Sequence, residues 1–314
     1  MSEMTPAERK ALERTPLFQT LPRRHRKRVA ELATVKHYGN DEAIMRVGEP
    51  GDSFIVMLMG DVLVAPSAGD ERLLVSEEYF GELSLIDGAP RAATVTAAGP
   101  VTVARIGRED FRALLSDEPT LAAGLLPGVA LIARDLLRAD AEALPDHAQL
   151  GEWRSGDDSG ALVEAKGEEL EGRDALGWLL MLRHVGVFEA LNEQHLRHVA
   201  KLFTIERYAD GDTVVLAGAR GDALHIVLNG RARVRTPGGH TRALGADDSF
   251  GELALIDGAP RSATVTAVGE LTTAKLTRSA FAKLLKAEPG IAVGLLDGLV
   301  GIVRDMQSAT APVA

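Results

Sequence analysis

The feature that most constrains this chain is a segment of eighteen residues that occurs twice, at 80–97 and at 250–267, with sixteen identical positions. The copies lie 170 residues apart, and the same offset pairs residues well outside them, such as Phe18 with Phe188. A solenoid unit is much shorter than this and cannot enclose a core alone, whereas a unit of this length can. The sequence therefore predicts one domain fold present twice.

The stretch between the two copies has a different composition from the copies themselves. It is rich in Asp, Glu and Gly, which is typical of a solvated connection. We therefore expect a first domain at 1–139, an acidic flexible linker at 140–175 and a second domain at 176–314.

Charge and composition exclude several classes of protein. The formal net charge of -10 argues against a nucleic-acid binder, because such proteins need a basic face. The basic run 23–28 precedes an apolar stretch and is expected to be the solvated face of a helix. The chain has no cysteine, begins without the apolar core of a signal peptide and has no apolar run long enough to span a bilayer. We expect a cytoplasmic protein without DNA binding or membrane insertion.

The order of sequence patterns is the same in both copies. Helical patterns come first, then short apolar runs separated by glycine, then helix again. The predicted strands of the first copy are 43–47, 54–59, 62–64, 72–75, 94–97 and 101–106. Such spacing indicates an antiparallel sandwich or small barrel, so the fold class is mainly β with flanking helices. The glycine-rich turns 48–52 and 218–222 are interpreted as plain hairpin connections.

The last helix of each copy carries an apolar stripe that must pack on something. The stripe comprises Leu125, Val129, Ile132 and Leu136 in the first copy, and Leu295, Leu299, Ile302 and Met306 in the second. Each helix also contains a Gly-x-x-x-Gly pair, at 124–128 and 294–298, which permits close helix approach. A seam between two copies of the chain and packing on the chain's own barrel are both open interpretations.

The repeated segment contains residues suited to binding a phosphorylated sugar. Gly81 lets backbone approach a ligand closely, and the turn that follows it has free N–H groups that favour an anion. Arg91, nine residues after Glu82, can clamp a phosphate with its planar fork, while the glutamate accepts hydrogen bonds from hydroxyls. The alternative is that Glu82 and Arg91 pair with each other in a domain without a ligand.

At these residues the chain resembles the cyclic nucleotide-binding domain family, whose phosphate-binding cassette runs Phe-Gly-Glu-Leu-Ala-Leu, a short spacer and Pro-Arg-Ala-Ala-Thr. The resemblance implies two tandem cyclic nucleotide-binding jelly-roll β-barrels. It also implies that the glutamate binds the ribose 2'-hydroxyl, that the arginine binds the cyclic phosphate and that backbone groups complete the cradle. Carried over by position, the ligand-binding residues are Gly81, Glu82, Leu83, Ser84, Arg91, Ala92 and Ala93, then Gly251, Glu252, Leu253, Ala254, Arg261, Ser262 and Ala263.

The identity of the nucleotide is less constrained than its class. In the family, alanine after the arginine goes with cyclic AMP, so Ala92 indicates cyclic AMP, while Ser262 is compatible with cyclic AMP or cyclic GMP. Trp153 and Trp178 are candidates for stacking on the base. Packing in an ordinary helix core is the interpretation we favour for Trp178.

No pattern of a catalytic or metal site accompanies the cassettes. His195 and His198 share a helix face without a nearby third ligand, so no metal is expected. A phosphate-binding loop, a nucleophile elbow and a kinase signature are all missing from the sequence, which predicts a protein that is not an enzyme and needs no cofactor.

The sequence predicts a cyclic nucleotide receptor, with cyclic AMP as the leading ligand, that changes conformation and regulates an unidentified protein partner. The alternative is a nucleotide-insensitive scaffold that keeps the same fold for interaction, with a homodimer as one version of it. The sequence does not identify the partner.

Overall fold

The structure, a computed structural model, describes residues 4–66, 71–76, 78–143 and 175–310, with the side chains of 135–143, 175–176 and 306–310 left undescribed. Most of the predicted linker 140–175, and Trp153 within it, lies outside the described residues. By their contacts, the described residues fall into two compact units, one within 1–132 and 299–314 and one within 133–298. The predicted domain boundaries follow the repeat along the chain, which is a different criterion, and they stay a prediction.

The first repeat begins and ends with helices, and one short helix, α4, lies between its strands. The helices are α1 (Pro6–Glu13), α2 (Pro16–Gln19), α3 (Arg23–Glu31), α4 (Glu82–Asp87), α5 (Arg108–Asp117) and α6 (Pro119–Ala143). The Thr5 side chain accepts from the Glu8 backbone N–H while Glu8 accepts from Thr5, a capping box that fixes where α1 begins. The basic run 23–28 lies in α3, and the predicted solvated face is confirmed except at His25, which is buried with Val29 and Ala30.

The strands of the first repeat form two four-stranded antiparallel sheets. The strands are β1 (Ala33–Tyr38), β2 (Ala43–Met45), β3 (Ser53–Met59), β4 (Val62–Pro66), β5 (Arg72–Leu74), β6 (Tyr79–Phe80), β7 (Ala93–Ala97) and β8 (Val101–Gly107). One sheet has the order β1-β8-β3-β6 and the other β2-β7-β4-β5. Buried side chains from both sheets, including Met57, Val64 and Val95, form one core cluster. This is the predicted jelly-roll barrel, with β1 and β6 added to the predicted strands.

The second repeat has the same order of elements. Its helices are α7 (Ala175–Arg183), α8 (Glu193–Ala200), α9 (Glu252–Asp257), α10 (Arg278–Ala287) and α11 (Ile291–Thr310), with a 3-10 turn at Gly186–Phe188. Its strands are β9 (Thr204–Tyr208), β10 (Thr213–Val215), β11 (Ala223–Arg235), β12 (Thr241–Leu244), β13 (Ser249–Phe250) and β14 (Thr264–Thr277). Here β11 and β14 each run through the positions of two strands of the first repeat, with register shifts around Asn229. Gly230 has φ +89° there, and a Cβ would lie 2.1 Å from the Glu270 carbonyl oxygen, so the bend requires glycine.

The final helix of each repeat, α6 or α11, is called its tail helix below. Leu125, Val129, Leu295 and Leu299 of the predicted stripes are fully buried. The side chains of Leu136 and Met306 lie outside the described part of the chain.

The Gly-x-x-x-Gly pairs allow this packing. A Cβ at Gly128 would lie 2.6 Å from the Leu17 carbonyl oxygen, and one at Gly298 would lie 2.7 Å from the Gly186 carbonyl oxygen. Each tail helix therefore uses its glycine face against the N-terminal helical segment of its own repeat. The glycine face of each tail helix is thus covered by a helical segment and not by the barrel, while the homodimer stays a prediction.

Among the described residues, no helix is both long and apolar enough to cross a membrane.

Candidate functional site

The first cassette, residues 80–93, forms one wall of a cavity of about 190 Å³. All seven predicted ligand residues of this repeat line it, together with side chains of the barrel and of the second repeat's tail helix. The lining residues are Met45, Val64, Arg72, Leu74, Tyr79, Phe80, Gly81, Glu82, Leu83, Ser84, Arg91, Ala92, Ala93, Val95 and Arg304. The structure therefore brings the seven predicted residues together in one cavity, while their role in binding a ligand stays a prediction.

Two glycines in the left-handed region enclose the short helix α4. Gly81 has φ +82° and Gly88 has φ +71°. A Cβ at Gly81 would lie 2.5 Å from Nη1 of Arg91 and 2.8 Å from the Ser53 carbonyl oxygen. Glycine here thus admits both the turn into α4 and the guanidinium beside it.

Arg91 is buried and only partly hydrogen-bonded. Its Nη2 donates to the Ser53 hydroxyl at 2.8 Å and to Oδ1 of Asp52 at 3.2 Å. Its Nη1 is buried without a hydrogen-bond partner in the described structure. Burial lowers the pKa of Arg91 and Asp52 opposes this, so the group remains a cation. Arg91 pairs with Asp52, and the predicted alternative of a pair with Glu82 is not what the structure contains.

The turn 48–52 does more than connect two strands. The Gly48 N–H donates to the Arg91 carbonyl oxygen and the Arg91 N–H donates to the carbonyl oxygen of Glu49, so the turn fixes the arginine's backbone. Its last residue, Asp52, also bridges Arg91 and Arg105, with 2.6 Å to Nη2 of Arg105. The interpretation as a plain hairpin connection was therefore wrong. The signal available in the sequence was the matched Gly-Asp pair at 51–52 and 221–222.

Glu82 lies half-buried in the same cavity. Burial raises the pKa of this carboxyl group, and the nearby cations Arg304, Arg72 and Arg91 oppose the rise. A carboxyl group in this position, beside a cation with an idle donor, can accept hydroxyl hydrogen bonds while the arginine holds an anion.

The second cassette, residues 250–263, lines a cavity of about 260 Å³. The lining residues are Val215, Val234, Arg242, Leu244, Ser249, Phe250, Gly251, Glu252, Arg261, Ser262, Ala263 and Val265. Five of the seven predicted residues line this cavity. Leu253 and Ala254 do not, and Ala254 is buried. Glu252 accepts a hydrogen bond of 2.5 Å from the Ser249 hydroxyl.

Arg261 has fewer protein partners than Arg91. Both Nη1 and Nη2 are buried without a hydrogen-bond partner in the described structure. The nearest carboxylate is Asp222, whose Oδ1 lies 3.7 Å from Nη2. Burial lowers the pKa of Arg261, Asp222 and Glu252 oppose this, and Arg134 adds to the lowering.

Two sequence differences explain why Arg261 has fewer protein partners than Arg91. Ser53, which accepts from Arg91, is replaced by Ala223, which has no hydroxyl. Arg105, which shares Asp52 with Arg91, is replaced by Lys275, which donates instead to Glu206 at 3.0 Å. The second arginine is therefore held mainly by packing, and no described residue supplies a hydrogen-bond acceptor for its Nη1 or Nη2.

A buried histidine adjoins the second cassette. The ring of His225 is stacked on Phe250, with centroids 5.0 Å apart, and lies within 3.3 Å of the Thr273 hydroxyl. Burial, with the charges of Arg261 and Lys275, holds the pKa of His225 well below its usual value, so the ring is neutral. The matched position in the first repeat is Ile55. Sequence reasoning missed this histidine, because no motif surrounds it.

Two arginines of the tail helices contact the cassettes, and sequence reasoning missed both. Arg304 forms two hydrogen bonds with the Asp87 carboxylate and one with the Ser84 hydroxyl. Arg134 forms two hydrogen bonds with the Asp257 carboxylate. The available signal was that all four positions recur at the 170-residue offset.

The other residues singled out in the sequence lie away from the cavities. Trp178 is buried and packs on Phe203, with ring centroids 5.9 Å apart, as expected for a core residue. His198 pairs with Glu288 at 2.7 Å. Among the described residues, no cluster of three His, Cys, Asp or Glu could hold a metal ion.

Comparison with known families accounts for both cassettes. The cyclic nucleotide-binding domain matches twice, at residues 35–118 and 205–288. These two matches cover more than half of the chain and carry the same 170-residue offset as the repeat. The chain belongs to the cyclic nucleotide-binding domain family. Its fold is therefore two tandem cyclic nucleotide-binding domains, each a jelly-roll barrel with flanking helices, as predicted.

Two similar proteins with curated names are regulatory subunits. The cAMP-dependent protein kinase regulatory subunit of Debaryomyces hansenii is 26% identical over 292 residues, which are 91% of this chain and 53% of that protein. The protein of the same name from Candida albicans is 26% identical over 272 residues, which are 86% of this chain and 48% of that protein. The chain thus spans about half the length of these relatives.

Solved structures with detectable similarity include the regulatory domain of Toxoplasma gondii PKA with cAMP, at 24% identity and a TM-score of 0.33. That match covers 93% of this chain and 94% of the other. Another is the N-terminal domain of a transcriptional regulator from Streptomyces coelicolor, at 31% identity and a TM-score of 0.36, which covers 43% of this chain and 98% of the other.

Proposed function

We propose that this protein is a cyclic nucleotide receptor, with cyclic AMP as its principal ligand, that changes conformation on binding and regulates a partner protein. The observation that carries the proposal is that each cavity contains a buried guanidinium with unpaired hydrogen-bond donors. Arg91 and Arg261 are 4% and 7% exposed, yet three of their four terminal nitrogens lack a hydrogen-bond partner in the described structure. Burying a cation this way is costly unless an anion completes its hydrogen bonds.

The remaining cavity residues support a nucleotide as that anion. Glu82 and Glu252 lie in the same cavities as the arginines and can accept hydrogen bonds from a ribose hydroxyl. Apolar side chains, such as Val64 and Leu74 in the first cavity, offer a surface for a base. One phosphate with a single charge and one hydroxyl, as in a cyclic nucleotide, fit one arginine and one glutamate.

Cyclic AMP is proposed over cyclic GMP for two reasons. Ala92 follows the first arginine, and in this family alanine there goes with cyclic AMP. The similar proteins from two yeasts are also named as cAMP-dependent. Ser262 follows the second arginine and leaves cyclic GMP open at that site.

A regulatory role rests on the helices that surround each cassette. In the first repeat, Arg108 at the start of α5 donates to the Ile86 carbonyl oxygen at the end of α4. In the second repeat, Arg278 donates in the same way to Ile256. A ligand that draws the cassette inward would therefore pull on the helices that follow the barrel. The names of the yeast relatives support a protein kinase as the regulated partner.

The conformational part of this proposal is tested by amide hydrogen exchange. We expect saturating cyclic AMP to change exchange in α5, α6, α10 and α11 as well as in the cassettes, because a ligand shifts an equilibrium only if it binds two states differently. The non-cyclic nucleotide 5'-AMP serves as the control, since it has the same base as cyclic AMP and a phosphate that is not closed into a ring. Protection confined to the cassettes, with no change in the helices, would contradict the proposed conformational response.

A further inference from the structure

Arg304 contacts a cassette that lies more than 200 residues before it in the chain. Its Nε donates to Oδ2 of Asp87 at 2.9 Å, and its Nη2 donates to Oδ1 of Asp87 at 3.2 Å and to the Ser84 hydroxyl at 3.2 Å. Both partners belong to α4. Residue 304 belongs to α11, so the tail helix of the second repeat holds the short helix of the first cassette through a planar, two-pronged pair.

The reciprocal contact is present in the second cassette. Arg134 of α6 donates to both carboxylate oxygens of Asp257, at 2.5 and 3.0 Å, and to the Pro260 carbonyl oxygen at 3.3 Å. Positions 134 and 304 are 170 residues apart, as are positions 87 and 257. The two compact units show the same crossing of the tail helices, since the described residues from 299 onward group with the first repeat and those from 133 to 298 group with the second.

The two arginines differ in their relation to the cavities. Arg304 lines the first cavity beside Glu82 and Arg91, whereas Arg134 does not line the second. The third residue of the short helix differs between the two repeats. Ser84 offers Arg304 a hydroxyl acceptor next to the cavity, while the matched Ala254 offers none.

We propose that Arg304 is a positioning residue of the first ligand site, so that the affinity of this site depends on a side chain supplied by the tail helix of the second repeat. The inference rests on the proposed function, because it concerns the same ligand.

The physical argument has two parts. The carboxylate of Asp87 lies at the end of the helix that carries Glu82, and Arg304 both neutralises that carboxylate and fixes the helix. Without Arg304 the site keeps an uncompensated negative charge near an anionic ligand and loses three hydrogen bonds that hold Ser84 and Asp87 in place. Both changes disfavour the bound state.

The experiment uses the full chain with Arg261→Ala as background, so that only the first site is expected to bind. Cyclic AMP is titrated calorimetrically into this background, into the same background with Arg304→Ala, and into the background with Arg134→Ala. We expect Arg304→Ala to weaken binding about tenfold or more, as is typical of coupling between linked sites. We expect Arg134→Ala, which removes the matched pair from the other cassette, to leave affinity within about twofold.

Two further variants separate positioning from general loss of structure. Arg304→Lys keeps the charge without the planar fork and should give an intermediate affinity. Exchange of charges in the double variant Arg304→Asp with Asp87→Arg should restore affinity relative to either single change, which a merely destabilised protein would not do. Thermal unfolding of each variant without ligand shows whether the fold is retained.

The outcomes distinguish this inference from the proposed function. If the Arg261→Ala background binds cyclic AMP and Arg304→Ala binds it equally well, the positioning role is wrong and the receptor function stands. If Arg304→Ala and Arg134→Ala weaken the first site equally, the effect is not specific to this contact and the inference is also overturned. If the background binds neither cyclic AMP nor cyclic GMP, the proposed function fails and this inference fails with it.

Discussion

The two cassette arginines should differ in what their removal does to the ligand-free protein. Arg91 donates two hydrogen bonds to protein acceptors, whereas both terminal nitrogens of Arg261 lack hydrogen-bond partners in the described structure. Replacing each with methionine keeps much of the apolar stem and removes the charge. The comparison isolates the hydrogen bonds, because the two side chains are buried to a similar extent.

The magnitude follows from those contacts. The bond from Arg91 to buried Ser53 is worth about 1–2 kcal/mol. The pair with Asp52 adds about 0–1 kcal/mol, since the Asp52 side chain is 63% exposed and screened by water. Within the described structure, removing Arg261 loses no hydrogen bond of its terminal nitrogens. The 3.7 Å pair with Asp222 contributes little because Asp222 is 73% exposed, and the cost of burying an unpaired cation is relieved. We therefore expect Arg261→Met to be at least as stable as the parent, and more stable than Arg91→Met by about 1–3 kcal/mol.

The assay is urea unfolding of nucleotide-free protein, followed by a probe for each repeat because two domains need not unfold together. Trp178 reports on the second repeat through its fluorescence. The same variants are then titrated with cyclic AMP, where each should lose about 2–5 kcal/mol at its own site, or roughly 30- to 5000-fold in affinity.

Two results would refute the reasoning. If Arg261→Met destabilises the ligand-free protein as much as Arg91→Met does, then Arg261 stabilises the ligand-free fold and its donors are not kept unpaired for an anion. If either variant keeps the affinity of its site, the arginine does not bind the phosphate.

Three further predictions follow from the geometry. Gly251→Ala should destabilise the second repeat by about 1–3 kcal/mol and weaken its ligand site, because φ is +92° and a Cβ would lie 2.3 Å from Nη1 of Arg261; unchanged unfolding and titration curves would contradict this. The pKa of His225 is depressed in the folded state, so below about pH 6.5 the unfolded chain binds a proton that the folded chain does not. The free energy of unfolding should therefore decrease as the pH is lowered, by up to about 1.4 kcal/mol per pH unit. His225→Ile, which copies Ile55, should remove that slope in unfolding measured between pH 6.5 and 5, and an unchanged slope would count against burial of a neutral ring. Burial raises the pKa of Glu82, so affinity at the first site should fall as pH drops through that raised value, and Glu82→Gln should be weaker at neutral pH with a flatter titration profile; parallel profiles would exclude the carboxylate as the hydroxyl acceptor.

Much of the fold could be predicted because the same sequence pattern occurs twice in the chain. Glycine at matched positions marks the turns, and the alternation of short apolar runs marks the strands. The cassette was predicted residue by residue because its chemistry is local in the chain. Gly81, Glu82 and Arg91 lie within eleven residues, and a short turn is enough to bring them into one cavity.

What could not be predicted were contacts between residues far apart in the chain. The repeat shows that Arg304 matches Arg134, but it does not show that each contacts the cassette of the other repeat. Asp52 was missed because a turn between strands has the same pattern whether or not its last carboxylate pairs with an arginine. Among the described residues Arg261 lacks a hydrogen-bond partner such as Ser53 because Ala223 has no hydroxyl, and the sequence alone does not show that position 223 matters to the guanidinium.

Calorimetric titration of the purified, nucleotide-free chain with cyclic AMP tests the central claim most directly, with cyclic GMP and 5'-AMP in parallel. The account predicts two sites of micromolar affinity or tighter for cyclic AMP, with Arg91→Ala and Arg261→Ala each removing one of them. Absence of heat with both cyclic nucleotides, from protein shown to be folded and nucleotide-free, would contradict it and leave a scaffold built on the same fold.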